Sequence, residues 1–140
     1  MKKFSISWKK STQVRKQRKY RFNAPKHVKG KFLSAHLSKE LKQKHGIRHI
    51  RARKGDTVKI VRGQFSGKIG KIDHVEVNKE RLFITGVEEI KKEGSKRMIP
   101  IKASKVIITE LSFEDKKRKK RLERTMQNNP NKKTKVPVKK

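Results

Sequence analysis

Basic residues are concentrated at the two ends of this 140-residue chain, which limits where a folded core can form. Residues 1–54 hold 19 basic and 1 acidic residue (net +18), residues 55–111 hold 12 and 8 (net +4), and residues 112–140 hold 12 and 3 (net +9). Only 31% of all residues are hydrophobic, whereas an ordinary globular domain has roughly half. We therefore expect the core to form in the middle segment, and the two ends to depend on a partner.

The total charge points to a polyanionic partner. Lys and Arg number 43 against 12 Asp and Glu, so the net charge is 43 − 12 = +31, and such a chain repels itself unless it is neutralised. Nucleic acid is the first candidate because of its dense phosphate charge, and an anionic membrane is the second. No apolar run approaches the ~20 residues of a membrane span, and no signal-peptide core follows the charged N-terminus. We expect an intracellular protein.

The middle segment carries short alternating apolar patterns. "TVKIVR", "KIGKIDHVEV", "RLFITGV", "RMIPI" and "KVIITEL" each read as a strand, and a phase slip near Gly70 suggests a β-bulge. Short strands separated by turns favour a mainly β fold, a small SH3-like antiparallel barrel. Glu88–Lys96 is either a hairpin with Gly94 at its turn or a solvated loop. The predicted core residues are Val58, Ile60, Ile69, Ile72, Val75, Leu82, Ile84, Ile99, Val106 and Ile108.

Short helices are expected beside the barrel. Pro25 suits the first position of a helix over "PKHVKGKFLSA", while Ser38 suits the N-cap of "KELKQKH" and Gly46 its end. Ser112 and Asp115 have capping-box spacing ahead of "KKRKKRLERTM", which is basic on every face and should be stabilised mainly by phosphates. The expected organisation is an N-terminal arm (1–50), a barrel (51–111), a basic helix (112–126) and a disordered tail (127–140).

The glycine-rich stretch "VRGQFSGKIGK" at 61–71 raises the possibility of a nucleotide-binding loop. A phosphate-binding P-loop reads G-x-x-x-x-G-K-[ST], but only three residues separate Gly63 from Gly67, and Ile69 replaces the hydroxyl residue. His45 and His49 are separated by Gly46, and the chain has no cysteine. Glu88 and Glu89 lie in a charged stretch without the apolar pocket that acid–base catalysis by carboxylates requires. The sequence therefore predicts no enzyme, metal site, cofactor or small-molecule substrate.

Two stretches favour nucleic-acid binding. The run "RKQRKYRFNAPKH" at 15–27 places Tyr20 and Phe22 among basic residues, and aromatic rings stack on unpaired bases while cations neutralise phosphates. The alternative role of these two rings, pinning an extended arm to the protein's own surface, has equal weight. In the glycine stretch, Gly67 would let the backbone approach a phosphate chain, although a plain hairpin explains the glycines equally well.

The residues from 54 to 86 resemble a KOW motif, in which two strands flank a glycine loop and Gly67 occupies the characteristic glycine position. "RKQRKYRFNAPKH", "LSAHLSKELKQKHGIR", "RKGDTVKIVRG" and "ASKVIITEL" follow in order and at matching spacing. Together they resemble the universal L24 family of large-subunit ribosomal proteins, called L26 in eukaryotes, over roughly residues 12–126. The rival interpretations are a KOW-type transcription elongation factor and a basic protein of membrane surfaces or chromatin.

The resemblance implies a cytoplasmic, non-enzymatic protein of the large ribosomal subunit that supports translation. Its partners would be the 5′ region of the large-subunit rRNA and neighbouring ribosomal proteins, without a membrane and without homo-oligomers. It would act early in assembly and lie near the nascent-chain exit tunnel. The residues carried over as RNA contacts are Arg15, Lys16, Arg18, Lys19, Arg21, Asn23, Lys26, Arg62, Gly63, Phe65, Gly67, Lys68, Ser104 and Lys105. The further basic residues predicted to meet phosphates are Lys31, Lys71, Lys102, Lys117, Arg118, Lys120 and Arg121.

Overall fold

The computed structural model describes residues 4–5 and 11–127. Its helices are α1 (Val14–Asn23), α2 (Lys26–Phe32), α3 (Lys39–His45) and α4 (Lys116–Gln127), and a 3-10 turn spans Ala103–Lys105. Its strands are β1 (Ser34–Leu37), β2 (His49–Arg51), β3 (Thr57–Ile60), β4 (Ile69–Glu76), β5 (Arg81–Ile84), β6 (Glu88–Ile90), β7 (Lys96–Met98) and β8 (Val106–Glu110). The tail predicted to be disordered lies, beyond residue 127, outside the described residues.

Six strands form one sheet in the order β2-β1-β8-β3-β4-β5. Neighbouring strands are antiparallel except β1 and β8, which are parallel. Leu82 and Ile101 add a bridge in which each backbone amide donates to the other's carbonyl at 2.8 Å. The predicted mainly β architecture is confirmed and is consistent with an SH3-like barrel. The sheet is mixed rather than antiparallel, because β1 pairs in parallel with β8. Both β1 and β2 lie in the stretch that was expected to hold only coil and helices.

The core lies on one side of this sheet, where alternate residues of each strand point inward. Seven of the ten predicted core residues are buried, and Val75 and Ile99 pack against them half-buried. The prediction for Ile69 is wrong, since 62% of it is exposed. The register pairs Ile69 with Lys59 and Gly70 with Val58, so Gly70 takes the inward position. Buried residues that the sequence analysis did not assign to the barrel include Ala35, Ile50, Ala52, Val87, Ile101 and Leu111.

Gly70 is needed for close packing rather than for a bulge. A Cβ atom there would lie 2.5 Å from the carbonyl oxygen of Thr85 and 2.8 Å from Cγ2 of Ile84. The β3–β4 pairing passes through Gly70 in regular register, whereas the irregularity in β4 falls between Ile72 and His74. The bulge predicted near Gly70 is therefore displaced along the strand.

The helix boundaries follow local capping chemistry. The Ser38 hydroxyl accepts a hydrogen bond from the Leu41 amide at 3.3 Å, and Gly46 ends α3 with φ of 65°, so both predictions are confirmed. Pro25 precedes the first helical residue of α2 instead of occupying it. That helix stops at Phe32, because the following residues pair as β1. The hairpin alternative for Glu88–Lys96 is also confirmed, with Gly94 at φ of 81° in its turn.

Candidate nucleic-acid interface

The glycine stretch forms the connection between β3 and β4. The Ile60 amide donates to the Lys68 carbonyl at 2.9 Å, and the Gly67 amide donates to the Ile60 carbonyl at 2.8 Å, which closes the loop at its base. A strand follows the loop, not the helix that a nucleotide-binding loop requires. We call residues 61–68 the glycine loop. Its geometry supports the sequence argument against a nucleotide site.

Positive φ values at Gly63 (103°) and Gly67 (89°) shape this loop. L-residues rarely adopt such a backbone, so glycine is required at both turns. No heavy atom lies within 4 Å of the Cβ position at Gly67, which leaves that side of the loop open. Within the described part of the chain, the amides of residues 62–65 donate no hydrogen bond. Successive unpaired amides in a turn form a concavity that favours anions.

The 3-10 turn at Ala103–Lys105 lies directly against the glycine loop. The Val61 amide donates to the Lys105 carbonyl at 2.9 Å, and the Lys105 ammonium lies 3.8 Å from the Cβ position of Gly63. Two segments that are at least 35 positions apart in the sequence thus share one surface, which we call the loop–turn surface. Its exposed predicted contacts are Arg62, Gly63, Gly67, Lys68, Lys102, Ser104 and Lys105. Lys71 is exposed on the adjoining strand β4.

Phe65 points inward from the tip of the glycine loop. It is half-buried and packs against the core cluster. The Lys68 ammonium lies 5.2 Å from its ring centroid, within the range of a cation–π interaction. Phe65 therefore braces the loop from within, and Lys68 lies over its ring.

A second basic surface is formed by α1, which the sequence analysis interpreted as an extended arm. None of its residues is buried. Its exposed predicted contacts are Arg15, Lys16, Arg18, Lys19, Arg21 and Asn23, and Lys26 and Lys31 are exposed on α2. We call this set the arm surface. Its exposed positive charge suits phosphate contacts.

The two aromatic residues of α1 have different environments. Tyr20 is half-buried between Phe4 and Phe32, with ring centroids at 4.9 Å and 6.3 Å. Phe22 is 82% exposed. The structure thus assigns the anchoring role to Tyr20 and leaves Phe22 available for stacking.

The arm surface and the loop–turn surface lie apart. Arg21 reaches Glu80, with Nε and Oε2 4.0 Å apart, and places α1 near the turn that follows β4. The glycine loop precedes β4, which is eight residues long. A strand rises about 3.3 Å per residue, so roughly 25 Å separates the two ends of β4. The two sets of predicted contacts therefore form separate surfaces.

Arg118 is not an RNA contact, which corrects the sequence prediction. It is 5% exposed and forms an ion pair with the fully buried Asp56. Its guanidinium also donates to the carbonyls of Ser112 at 3.0 Å and Arg51 at 3.3 Å. Leu122, one turn further along α4, is 3% exposed. Packing therefore holds α4, contrary to the expectation that phosphates are needed, while Lys117, Lys120 and Arg121 stay exposed.

The cap of α4 differs slightly from the predicted capping box. Asp115 Oδ1 accepts a hydrogen bond from the Lys117 amide at 2.8 Å, so Asp115 itself caps the helix. The Ser112 amide instead donates to Asp56 Oδ1 at 3.0 Å. Asp115 also pairs with Arg53. The start of α4 is thus tied to the segment that enters β3.

An open cleft of about 650 Å³ lies beside this junction. Its lining mixes cations with carboxylates, among them Asp73, Glu114 and Asp115. Among the described residues, no group of three or more His, Asp or Glu side chains is placed to hold a metal ion. In the same part of the chain, no helix is long and apolar enough to cross a membrane.

The comparison with known families decides the identity of this basic fold. The family profile described as ribosomal proteins L26 of eukaryotes and L24 of archaea matches residues 11–125. The chain belongs to this family. The resemblance found in the sequence is therefore confirmed, and the elongation-factor alternative is set aside.

Archaeal relatives of the L24/L26 family cover most of the chain. Large ribosomal subunit protein uL24 of Korarchaeum cryptofilum is 46% identical over 115 residues, which is 82% of this chain and 88% of the relative. Large ribosomal subunit protein uL24 of Methanoculleus marisnigri is 48% identical over 112 residues, which is 80% of this chain and 93% of the relative. Ribosomal proteins of the L24/L26 family are structural and not enzymes, in line with the sequence analysis.

Proposed function

We propose that the protein is a structural constituent of the large ribosomal subunit in the cytoplasm, where it binds large-subunit rRNA. Family membership and the names of the archaeal relatives support the subunit assignment. The geometry of the loop–turn surface is the observation that supports rRNA binding. There, four unpaired amides adjoin the side chains of Arg62, Lys68 and Lys105.

Phosphate recognition on the loop–turn surface uses backbone and side chains together. The amides of residues 62–65 donate to phosphate oxygens, and the neighbouring cations add charge-assisted contacts. Gly67 keeps the loop open enough for a nucleotide backbone to approach. These contacts recognise the backbone of RNA and its shape rather than base sequence.

The arm surface binds a separate stretch of rRNA. Its six predicted contacts on α1 project into solvent with 56% of the Arg21 side chain exposed despite its contact with Glu80. Phe22 offers a ring for an unpaired base. Because roughly 25 Å separates the two ends of β4, the protein bridges two RNA segments.

Further elements of the proposal come from the family resemblance. They are a site in the 5′ region of the large-subunit rRNA, a role early in subunit assembly and a position near the nascent-chain exit tunnel. Neighbouring ribosomal proteins are its other partners, and it does not form homo-oligomers.

Sedimentation of a cell lysate tests the proposal. The protein should migrate with the large subunit, and digestion with RNase should release it. A pull-down that recovers RNA polymerase without ribosomes would contradict the proposal. Migration that resists nuclease would contradict the RNA-binding part alone.

A further inference from the structure

The outer face of the six-stranded sheet carries a row of side chains that neither the resemblance nor the sequence assigned to RNA binding. Cross-strand pairs link His49 to His36, His36 to Ile107, Ile107 to Lys59, and Lys59 to Ile69. The five residues thus stand in register across β2, β1, β8, β3 and β4. We call this row the outer strip. With strands about 4.8 Å apart, its four steps span roughly 19 Å.

Strand alternation fixes the direction of the outer strip. Its neighbours along three strands, among them Leu37, Val58 and Ile108, are at most 1% exposed. Side chains of adjacent residues in a strand point to opposite faces, so the strip faces away from the core. Ile69 is 62% exposed, and His49 and Lys59 are exposed too.

The chemistry of the outer strip suits nucleosides. The rings of His36 and His49 meet edge to face with centroids 6.5 Å apart. Burial, followed by the positive charges of Arg48 and Lys42, lowers the pKa of His36 below its ordinary 6.5, which favours the neutral form of this ring. Imidazole rings stack on unpaired bases, and the two isoleucines offer apolar contact to bases and riboses.

The charges around the outer strip favour RNA over protein. Lys59 stands within it, Lys68 and Lys71 flank Ile69, and the exposed Arg48 directly precedes His49 in the chain. One carboxylate, Glu110, lies near the strip. It pairs across the strands with Thr57, two positions before Lys59, and accepts a hydrogen bond from the Thr57 hydroxyl at 3.0 Å. The strip is also continuous with the loop–turn surface, since Ile69 directly follows the glycine loop.

We propose that the outer strip binds a single-stranded stretch of rRNA whose unpaired nucleotides lie across the strands from Ile69 to His49. This proposal rests on the RNA-binding function proposed above. The strip extends the loop–turn surface from a phosphate-binding edge onto an apolar platform. The loop–turn surface holds the RNA backbone, and the platform contacts base and ribose faces.

The absence of native cysteine allows a direct test with single thiols. Ile69→Cys places a thiol on the outer strip. Ile90→Cys is the matched control, because Ile90 is a β-strand isoleucine that is 70% exposed on the separate β6–β7 hairpin. The rate of alkylation by iodoacetamide is measured for each protein, free and bound to a large-subunit rRNA fragment.

The thiol of Ile69→Cys should react more slowly in the complex, and RNase digestion should restore its free rate. The thiol of Ile90→Cys should react equally in both states. Full reactivity of Ile69→Cys in a complex that has formed would overturn the outer-strip proposal alone. Failure of the wild-type protein to bind any rRNA fragment would overturn the proposed function and the strip with it.

Binding measurements supply a second readout. Ile69→Thr keeps a β-branched residue and should weaken binding to the rRNA fragment by about fivefold, at the lower end of the range for losing a base contact. The salt dependence should be unchanged, because no charge is removed. Ile90→Thr should bind like wild type. Equal affinities of the two variants would overturn the outer-strip proposal.

The same alkylation assay in intact large subunits identifies the partner that covers the strip. Protection of Ile69→Cys that persists after RNase would indicate a protein and contradict the proposal.

Discussion

Asp56 and Arg118 lie 62 positions apart in the chain and form a buried, two-pronged ion pair. Arg118 Nη2 donates to Asp56 Oδ2 at 2.8 Å, and Nη1 donates to Oδ1. Asp56 also accepts hydrogen bonds from the amides of Arg53 and Ser112 at 2.9 and 3.0 Å. This one carboxylate thereby connects the entry to β3 with the start of α4.

Removing Asp56 should strongly destabilise the protein. In Asp56→Ala, Arg118 would remain buried without its counter-charge, and loss of one partner from a buried pair costs about 3–5 kcal/mol. The free energy of unfolding is measured by urea denaturation. Asp73→Ala removes an exposed carboxylate that lies 3.6 Å from the Lys54 ammonium, and it should cost less than about 1 kcal/mol. Equal effects of the two substitutions would contradict a structural role for the buried pair.

Gly67→Val should weaken rRNA binding by more than its loss of stability explains. Gly86 is a matched control, because its φ of 83° is close to the 89° of Gly67 and both have open space at the Cβ position. Each valine should cost about 1–3 kcal/mol of stability through backbone strain. Only Gly67→Val should weaken binding in filter-binding titrations of protein that is still folded. Unchanged affinity would show that the glycine loop is a plain hairpin.

Local sequence patterns were enough to predict the barrel strands but not their register. "TVKIVR" and "KVIITEL" alternate clearly, and their inward residues Val58, Ile60, Val106 and Ile108 are buried. Ile69 was misplaced because the side that a residue faces depends on its cross-strand partner, here Lys59. Its neighbour Gly70 has no side chain to mark the inward position. Strands β1 and β2 were missed because their alternation covers only four and three residues, which is too short to indicate a strand.

The candidate site likewise contains residues that the local sequence predicts and residues whose role depends on contacts with distant parts of the chain. Composition and motifs identified the loop–turn and arm surfaces, because exposed basic residues can be predicted without a partner. Arg118 resembled its basic neighbours in α4, and only the fold reveals that Asp56 lies opposite. Tyr20 and Phe22 could not be distinguished, since the difference depends on Phe4 and Phe32 at distant positions.

Alanine substitutions at Phe22 and Tyr20 should have different effects, the first on rRNA binding and the second on the folding of α1. Phe22→Ala removes a ring that is 82% exposed and should change the free energy of unfolding little. It should weaken rRNA binding by about 1–3 kcal/mol, because the stacking contact with a base is lost. Tyr20→Ala removes the packing between α1 and Phe32 and should lower the helical signal in circular dichroism. If Phe22→Ala binds RNA like wild type, its ring makes no base contact.

Stability should fall as the pH drops below 6.5. Burial, and secondarily the charge of Lys44, lowers the pKa of His45 below its ordinary 6.5. The unfolded state therefore takes up a proton first, so the stability present above pH 6.5 is lost as pH falls through the folded-state pKa. Burial also lowers the pKa of His36, with the same sign.

Urea denaturation at pH 7.5 and pH 5 measures this dependence. His45→Leu should reduce the difference between the two pH values without abolishing it, because His36 remains. The exposed His27→Leu is the control and should keep the wild-type difference. A His45→Leu variant with an undiminished difference would show that another group is responsible.

The salt dependence of rRNA binding should report how many phosphates the protein neutralises, and substitutions on the arm surface should reduce it. The logarithm of the rRNA binding constant should fall linearly with the logarithm of salt concentration, with a slope of about −0.7 to −0.9 per phosphate. Arg18→Gln and Lys19→Gln on α1 should each reduce the magnitude of that slope by about 0.7 to 0.9 and weaken binding to all RNA sequences alike. Lys92→Gln, on the exposed β6–β7 hairpin, removes the same charge from outside both surfaces and should leave the slope unchanged. If all three substitutions change the slope equally, binding depends on net charge alone, and the arm surface has no defined contacts.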